Sequence, residues 1–186
     1  MSQLPSPRSF APGSLTPWAR LGIFVAAVTL AADQISKNLL LYRFGFKDML
    51  PGDGIIVTPY FNIVMAWNEG VSFGLLQANA LWGKVLLTGF ALAVVVGLSI
   101  WLLRARSRLL ALGLGLVIGG AIGNAIDRAI YGAVADFFDF HVMGFHWYIF
   151  NVADIGIVCG VGCLLLDSVW GPRPEDAPRS PAADKA

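Results

Sequence analysis

The sequence predicts an all-α integral membrane protein of four transmembrane helices, with a small extracytoplasmic β-sheet formed from its two external loops. Three observations lead there. Hydrophobic residues make up 56% of the 186 and charged residues 13%, with a mean hydropathy of +0.68, outside the soluble range. Four apolar stretches are each long enough to cross a hydrocarbon core of about 30 Å. The two long connections between them carry β-branched and aromatic runs rather than linker composition.

Residues 1–19 hold Pro5, Pro7, Pro12 and Pro17 with Ser and Gly and no acid, a composition that buries no core, and are expected to be a disordered tail. Helix one is expected over about 21–42, introduced by Arg20. A cleavable signal peptide would start similarly, but this stretch is longer than an h-region and runs through Asp33 within the same span, so it is read as an uncleaved helix. The external loop 43–80 contains Gly54-Ile-Ile-Val-Thr58 and Phe61-Asn-Ile-Val-Met-Ala-Trp67 about Pro59, two strand-like runs with a turn between them. Helix two is expected over 81–103, with Lys84 placed to snorkel. Helix three is expected over 109–130. The second loop, 131–149, has apolar runs on either side of Met143-Gly144 and reads as a hairpin. Helix four is expected over 150–170, followed by a Pro-rich tail, 171–186. Residues 20–170 thus form one membrane domain.

Orientation follows from Lys and Arg in the short flanks. Arg8 and Arg20 precede helix one, Arg104, Arg106 and Arg108 join helices two and three, and Arg173 and Arg179 follow helix four. Those flanks share one side of a four-span topology, so both termini are expected in the cytoplasm. Trp67, Trp82, Trp147, Tyr148 and Trp170 fall near span ends as an interfacial belt, with no chemical role assigned.

A charge at the centre of a membrane helix costs about 2.5–3.5 kcal/mol even on lenient insertion scales, so acids there face a bundle interior and carry function. Asn124, Asp127 and Arg128 are spaced i, i+3, i+4 near the external end of helix three; Asn151 and Asp154 repeat the three-residue spacing at the external start of helix four. The external connection places Asp136 at the same level. Single Asn–Asp pairs can simply glue helices together. Three acids against one arginine leave carboxylates that pairing cannot neutralise, and two close carboxylates share a proton, one fit to activate water and the other to protonate a carbonyl oxygen. Spacing alone leaves Asp127, Asp136 and Asp154 all eligible.

Other chemistries are weaker. Net charge is +1, without the basic field that nucleic acid requires. Cys159 and Cys163 lack a histidine in reach and read as packing residues; His141 and His146 lack a serine partner and zinc-ligand spacing. A proton-coupled transporter would need acids along the whole span, yet Leu109 to Val117 and Cys159 to Leu166 have none. A scaffold whose polar groups only bind neighbours is the remaining rival. Asp33 and Lys37, i and i+4 on helix one, can neutralise each other, with Gln34 and Ser36 beside them facing an entering substrate. Asn68 and Gly70 lie in a turn-like Trp67-Asn-Glu-Gly70 segment.

Asp33-Gln-Ile-Ser-Lys37, Asn68-Glu-Gly70, Gly119-Gly-Ala-Ile-Gly-Asn-Ala-Ile-Asp-Arg128, Val134-Ala-Asp-Phe137 and Phe150-Asn-Val-Ala-Asp154, in that order on four spans, resemble the lipoprotein signal peptidases (signal peptidase II), aspartic peptidases of bacterial inner membranes. The resemblance implies Asp136 and Asp154 as the catalytic pair. It implies Asn124, Asp127, Arg128 and Asn151 as residues shaping the site, and Asp33, Lys37, Asn68 and Gly70 as its polar surround. Asp127 would be held by Asn124 and Arg128 of its own helix. The implied substrate is a prolipoprotein cut just before a diacylglyceryl-modified lipobox cysteine, taken sideways from membrane lipid at the periplasmic side, with residues 70–77 as a clamp. No metal or organic cofactor and no nucleic acid are implied, and a monomer is expected. Glu69, Val71 and Gly74 depart from the residues common in that family.

Overall fold

A computed structural model of the chain describes residues 15–50, 52–70 and 80–171, with side chains from residue 85 onward in the last stretch. Residues 1–14 and 172–186 of the expected tails, the expected clamp after Gly70, and the side chains of Trp82 and Lys84 lie outside those residues, whereas Pro17, Trp18 and Ala19, expected in the disordered tail, form the first turn of a helix. Four helices long and apolar enough to cross a membrane are present: α1 (Pro17–Asn38), α2 (Ala80–Leu103), α3 (Arg108–Tyr131) and α4 (Val152–Trp170). Four strands, β1 (Gly54–Thr58), β2 (Phe61–Asn68), β3 (Val134–Val142) and β4 (Phe145–His146), pair antiparallel in that order. The α1–α2 and α3–α4 connections thus join into one sheet.

Local chemistry explains where each helix begins and ends. Thr16 caps α1, its hydroxyl accepting from Ala19 N at 3.0 Å, with Pro17 at the first position, where the missing N–H is not needed. Ser107 caps α3 in the same way, and Gly132 ends it with φ 75. Asn151 opens α4 in a capping box with Asp154. Beyond Asn38 the α1 backbone continues as one π-helical turn, Leu39–Arg43, which sequence periodicity did not reveal. In the β3–β4 hairpin, Met143 (φ 50) and Gly144 (φ 82) both take left-handed conformations, the two-residue turn whose twist suits antiparallel strands.

Helix α3 is the axis of the bundle, with α1, α2 and α4 packed around it and their outer faces, Phe24, Phe90 and Val158 among them, left exposed. Between membrane helices the driving force is close packing rather than expulsion of water, so small residues mark the contacts. Gly115 and Gly119 face Val25 and Thr29 of α1, Gly113 and Gly120 face α4, and Gly123 lies against Asp33 of α1 with Ala153 of α4 beyond it. A Cβ at Gly120 would strike the Ala153 carbonyl and lie 2.9 Å from Ile157 Cγ1. Because backbone cannot step aside cheaply, Gly120→Ala is expected to destabilise the protein by about 1–3 kcal/mol, read as a lower unfolding temperature in detergent. An unchanged unfolding temperature would mean that α3 and α4 are not held this close.

Under the sheet lies a second core of Leu41, Phe46, Met65, Ala135 and Phe137, all nearly inaccessible. It ties the π turn after α1 to β2 and β3, so strand β3 is fixed against the end of the bundle where α1 and α3 finish and α4 begins. Asp136 pairs with Ala66 in the β2–β3 ladder.

Candidate active site

Asp136 sits on β3 and Asp154 in the first turn of α4, and Asn151 binds both. Its side-chain amide donates to Asp136 Oδ1 at 2.7 Å; its backbone N donates to Asp154 Oδ2 at 3.3 Å, and its Oδ1 accepts from Asp154 N at 3.0 Å. The capping residue of α4 therefore sets the position of one carboxylate against the other. Asn124 of α3 donates to Asp154 Oδ1 at 2.9 Å, and its own Oδ1 accepts from Asn151 Nδ2 and Lys37 Nζ, each at 3.2 Å. Asn68, at the end of β2, donates to Asp136 Oδ2 at 3.1 Å while its Oδ1 accepts from Gly70 N at 2.9 Å.

Asp136 is 2% exposed and Asp154 half-buried. Burial first, and the nearby Asp154 charge second, push the Asp136 carboxyl up to about 7. The Asn68 and Asn151 hydrogen bonds and the Lys37 charge oppose this without cancelling it. A carboxyl that keeps its proton to near neutrality, beside a second carboxyl, is the raised-acid pattern of proton-transfer sites.

Behind the pair is a buried ionic cluster. Lys37 Nζ lies 2.8 Å from Asp33 Oδ2 and 2.8 Å from Asp127 Oδ2, all three residues nearly inaccessible. Asp33 Oδ1 accepts from Ala153 N at 2.9 Å, and Asp127 Oδ2 from Ala135 N at 3.2 Å. The cluster thus grips the backbone of the residue preceding each dyad carboxylate.

Several expectations are corrected here. Asp33 and Lys37 are not a self-contained pair, because Lys37 reaches across to α3. Asp127 is held by Lys37, Gln34 and the Ala135 backbone, not by Asn124 or Arg128. Neighbours one apart on a helix diverge in direction, so Arg128 leaves the face that Asn124 and Asp127 share. It is half-buried and points toward Gly70, with its Nε unpartnered among the described residues. Ser36 does not face the site; its hydroxyl donates to the Asp33 carbonyl. Gln34 donates to both Asp33 and Asp127.

Trp67 is half-buried and packs against Tyr131, ring centroids 5.3 Å apart. Tyr148, given no chemical role from the sequence, has its hydroxyl 2.6 Å from Asn68 Nδ2. No signal in the sequence marks it, since the loop that carries it bends back only in the fold. Asp139 was missed as well: it accepts from Asn62 and contacts His146 Nδ1 at 2.9 Å, fastening the hairpin to β2.

Two cavities open onto the pair. One, of about 480 Å³, runs along α4 past Asp154, Ile155, Val158 and Cys159 and is apolar apart from the carboxylate. The other, of about 490 Å³, lies between Ala66, Asn68, Glu69, Gly70 and Asp136, on the face of the sheet opposite the Met65–Ala135–Phe137 core. Trp147 and Tyr148 line both. An apolar cavity beside Asp154 and a more mixed one beside Asp136, where Asn68 and Glu69 join Trp67 and Ile149, thus lie on either side of one shared wall. Among the described residues no group of three or more His, Cys, Asp and Glu side chains could hold a metal ion.

A family model described as Signal peptidase (SPase) II matches residues 25–170. The lipoprotein signal peptidase of Methylorubrum extorquens (strain PA1) is 51% identical over 167 residues, 90% of this chain and 93% of that protein. The lipoprotein signal peptidase of Rhodopseudomonas palustris (strain TIE-1) is 47% identical over 170 residues, 88% of this chain and 100% of its own. Among solved structures, a bacterial membrane enzyme determined by the in meso method at 1.9 Å resolution is similar with a TM-score of 0.68 at 25% identity, over 81% of this chain and 94% of that one.

Proposed function

Since the chain belongs to the signal peptidase II family, we propose that this membrane peptidase is an aspartic endopeptidase whose water is activated by Asp136 and Asp154. The observation that carries this reading is Asn151, one residue bonded to both carboxylates, each of which lines one of two cavities that share the Trp147–Tyr148 wall. Its substrates are prolipoproteins, cut just before a lipobox cysteine that bears a diacylglyceryl group. The lipid lies in the apolar cavity along α4, and the extended peptide in the cavity lined by Asn68, Gly70 and Asp136. Both termini face the cytoplasm and the site faces the periplasm, in keeping with the Arg-rich connection between α2 and α3. Residues 20–170 constitute the working domain, acting as a monomer.

The proton inventory closes without a covalent intermediate. Asp154 takes a proton from water as its oxygen attacks the scissile carbonyl carbon, while Asp136 gives its proton to the carbonyl oxygen, forming a gem-diol. Collapse returns a hydroxyl proton to Asp136. The cysteine nitrogen leaves with the proton held on Asp154, so the dyad ends as it began.

Purified protein incubated with a diacylglyceryl-modified lipobox peptide and with its unmodified twin tests this. Cleavage before the cysteine of the modified peptide alone is expected; equal cleavage of both would remove the lipid from recognition. The same assay reads the acid. With its carboxyl raised to about 7, Asp136 is protonated below that pH and loses the proton above it, so the rate is expected to fall as pH rises through about 7. A rate that stays flat to pH 9 would contradict Asp136 as proton donor.

A further inference from the structure

Tyr148 lies in the stretch between β4 and the Asn151 cap, and its ring is 59% exposed while its hydroxyl turns inward to Asn68. The direction of that hydrogen bond is settled by Asn68. Gly70 N can only donate, so the amide oxygen of Asn68 must face it, and Nδ2 must be the atom facing Asp136 and Tyr148. An amide nitrogen donates and does not accept. The phenol oxygen is therefore the acceptor, and its own proton is directed elsewhere. Among the described residues no acceptor engages it.

That proton is close to the chemistry. Asn68 Nδ2 donates to Asp136 Oδ2 at 3.1 Å and to the phenol at 2.6 Å, so the two oxygens are no further apart than those bonds laid end to end. Tyr148 also forms wall for both cavities, the one that reaches Asp154 and the one that reaches Asp136. Desolvation, then the Asp136 charge, raise the phenol above its ordinary range, so it stays protonated wherever the dyad works. The Asn68 bond polarises the O–H further, because a hydroxyl that accepts becomes a better donor.

We propose that the Tyr148 hydroxyl donates a hydrogen bond to the oxygen of the scissile carbonyl, strengthening as that oxygen gains charge under attack by water. This rests on the dyad reading and extends it. Asp136 supplies a proton to that oxygen, and Tyr148 holds the oxygen in line without giving up its own. The placement answers a need of this site: of the carboxylates' described partners, the asparagine amides are spent on positioning Asp136 and Asp154, which leaves the carbonyl without a neutral donor. The shared wall has a second effect. A carbonyl bound to Tyr148 lies against the wall that the two cavities share, which sets the scissile bond beside the lipid-bearing residue.

Tyr148→Phe keeps the ring and removes only the donor. With the diacylglyceryl-modified peptide, kcat is expected to fall about 100-fold, the scale seen when one oxyanion donor is removed, with KM within about twofold of wild type. The pH–rate limb assigned to Asp136 is expected to stay in place. Unchanged kcat would overturn the inference, as would a raised KM at constant kcat, which marks ground-state binding. A kcat loss accompanied by a displaced limb would also overturn it, because Tyr148 would then act through Asn68 on Asp136. Should the Phe variant unfold, 3-fluorotyrosine at this position keeps the bond and strengthens the acid; equal or higher kcat supports donation, and a lower kcat opposes it. Asp136→Asn in the same assay separates the two readings: activity in that variant would sink the dyad and leave the tyrosine result to be judged on its own kcat.

Discussion

Asp136→Asn and Asp154→Asn are each expected to lower cleavage of lipid-modified precursor by about 10⁴-fold or more, and the double variant to be no worse than either alone. In the proposed mechanism the two carboxylates work on one water and one carbonyl, so losing either loses the unit. An amide can neither take a proton from water nor surrender one at neutral pH. Both changes are close to isosteric. At Asp136 an asparagine can keep one of the two hydrogen bonds from Asn68 and Asn151, and at Asp154 one of the two from Asn124 and the Asn151 backbone. The remaining mismatched donor costs about 1–3 kcal/mol, small enough to leave folded protein. The measurement is precursor accumulation in cells and turnover by purified variants, with circular dichroism to confirm the fold. Normal processing by either folded variant would end the aspartic mechanism.

Lys37→Met is expected to be the most damaging change outside the dyad, lowering stability by about 3–5 kcal/mol. The Lys37 ammonium has three protons and three acceptors: Asp33 and Asp127 at 2.8 Å and Asn124 at 3.2 Å. Methionine fills the space but leaves two buried carboxylates facing each other where no water can reach them. The loss should also reach catalysis, because Asp33 grips Ala153 N, Asp127 grips Ala135 N, and Asn124 holds Asp154. Thermal unfolding in detergent reads the first effect. Adding Asp33→Asn to Lys37→Met removes one of the opposed charges and should recover part of the lost stability. A Lys37→Met protein as stable as wild type would show that the cluster is not the buried ion triad seen here.

Much of this protein was legible in its sequence, for reasons that are local. A helix in lipid satisfies its own backbone, so length and hydropathy suffice to locate α1 to α4. Acids in or beside such helices are expensive, which singled out Asp127, Asp136 and Asp154 before any fold was known, with Asp33 set apart as a partner of Lys37. The strand runs and the Met143-Gly144 turn are likewise short-range patterns. Family resemblance, not spacing, separated Asp136 from Asp127, and the structure supplies a physical ground for that separation: Asp127 is paired with a lysine, while Asp136 meets only amides and a second acid.

What the amino-acid sequence by itself determined is which residues are polar in an apolar setting and at what depth. Which of them meet was decided by tertiary structure alone. Lys37 and Asp127 are 90 positions apart, and Asn68 and Tyr148 are 80 apart. Their contacts depend on how α1 is rotated against α3 and how β2 and β3 align, set by glycine-to-backbone packing and by the small core beneath the sheet. A side chain's partner is fixed by rotation and register between elements, quantities that no local periodicity contains.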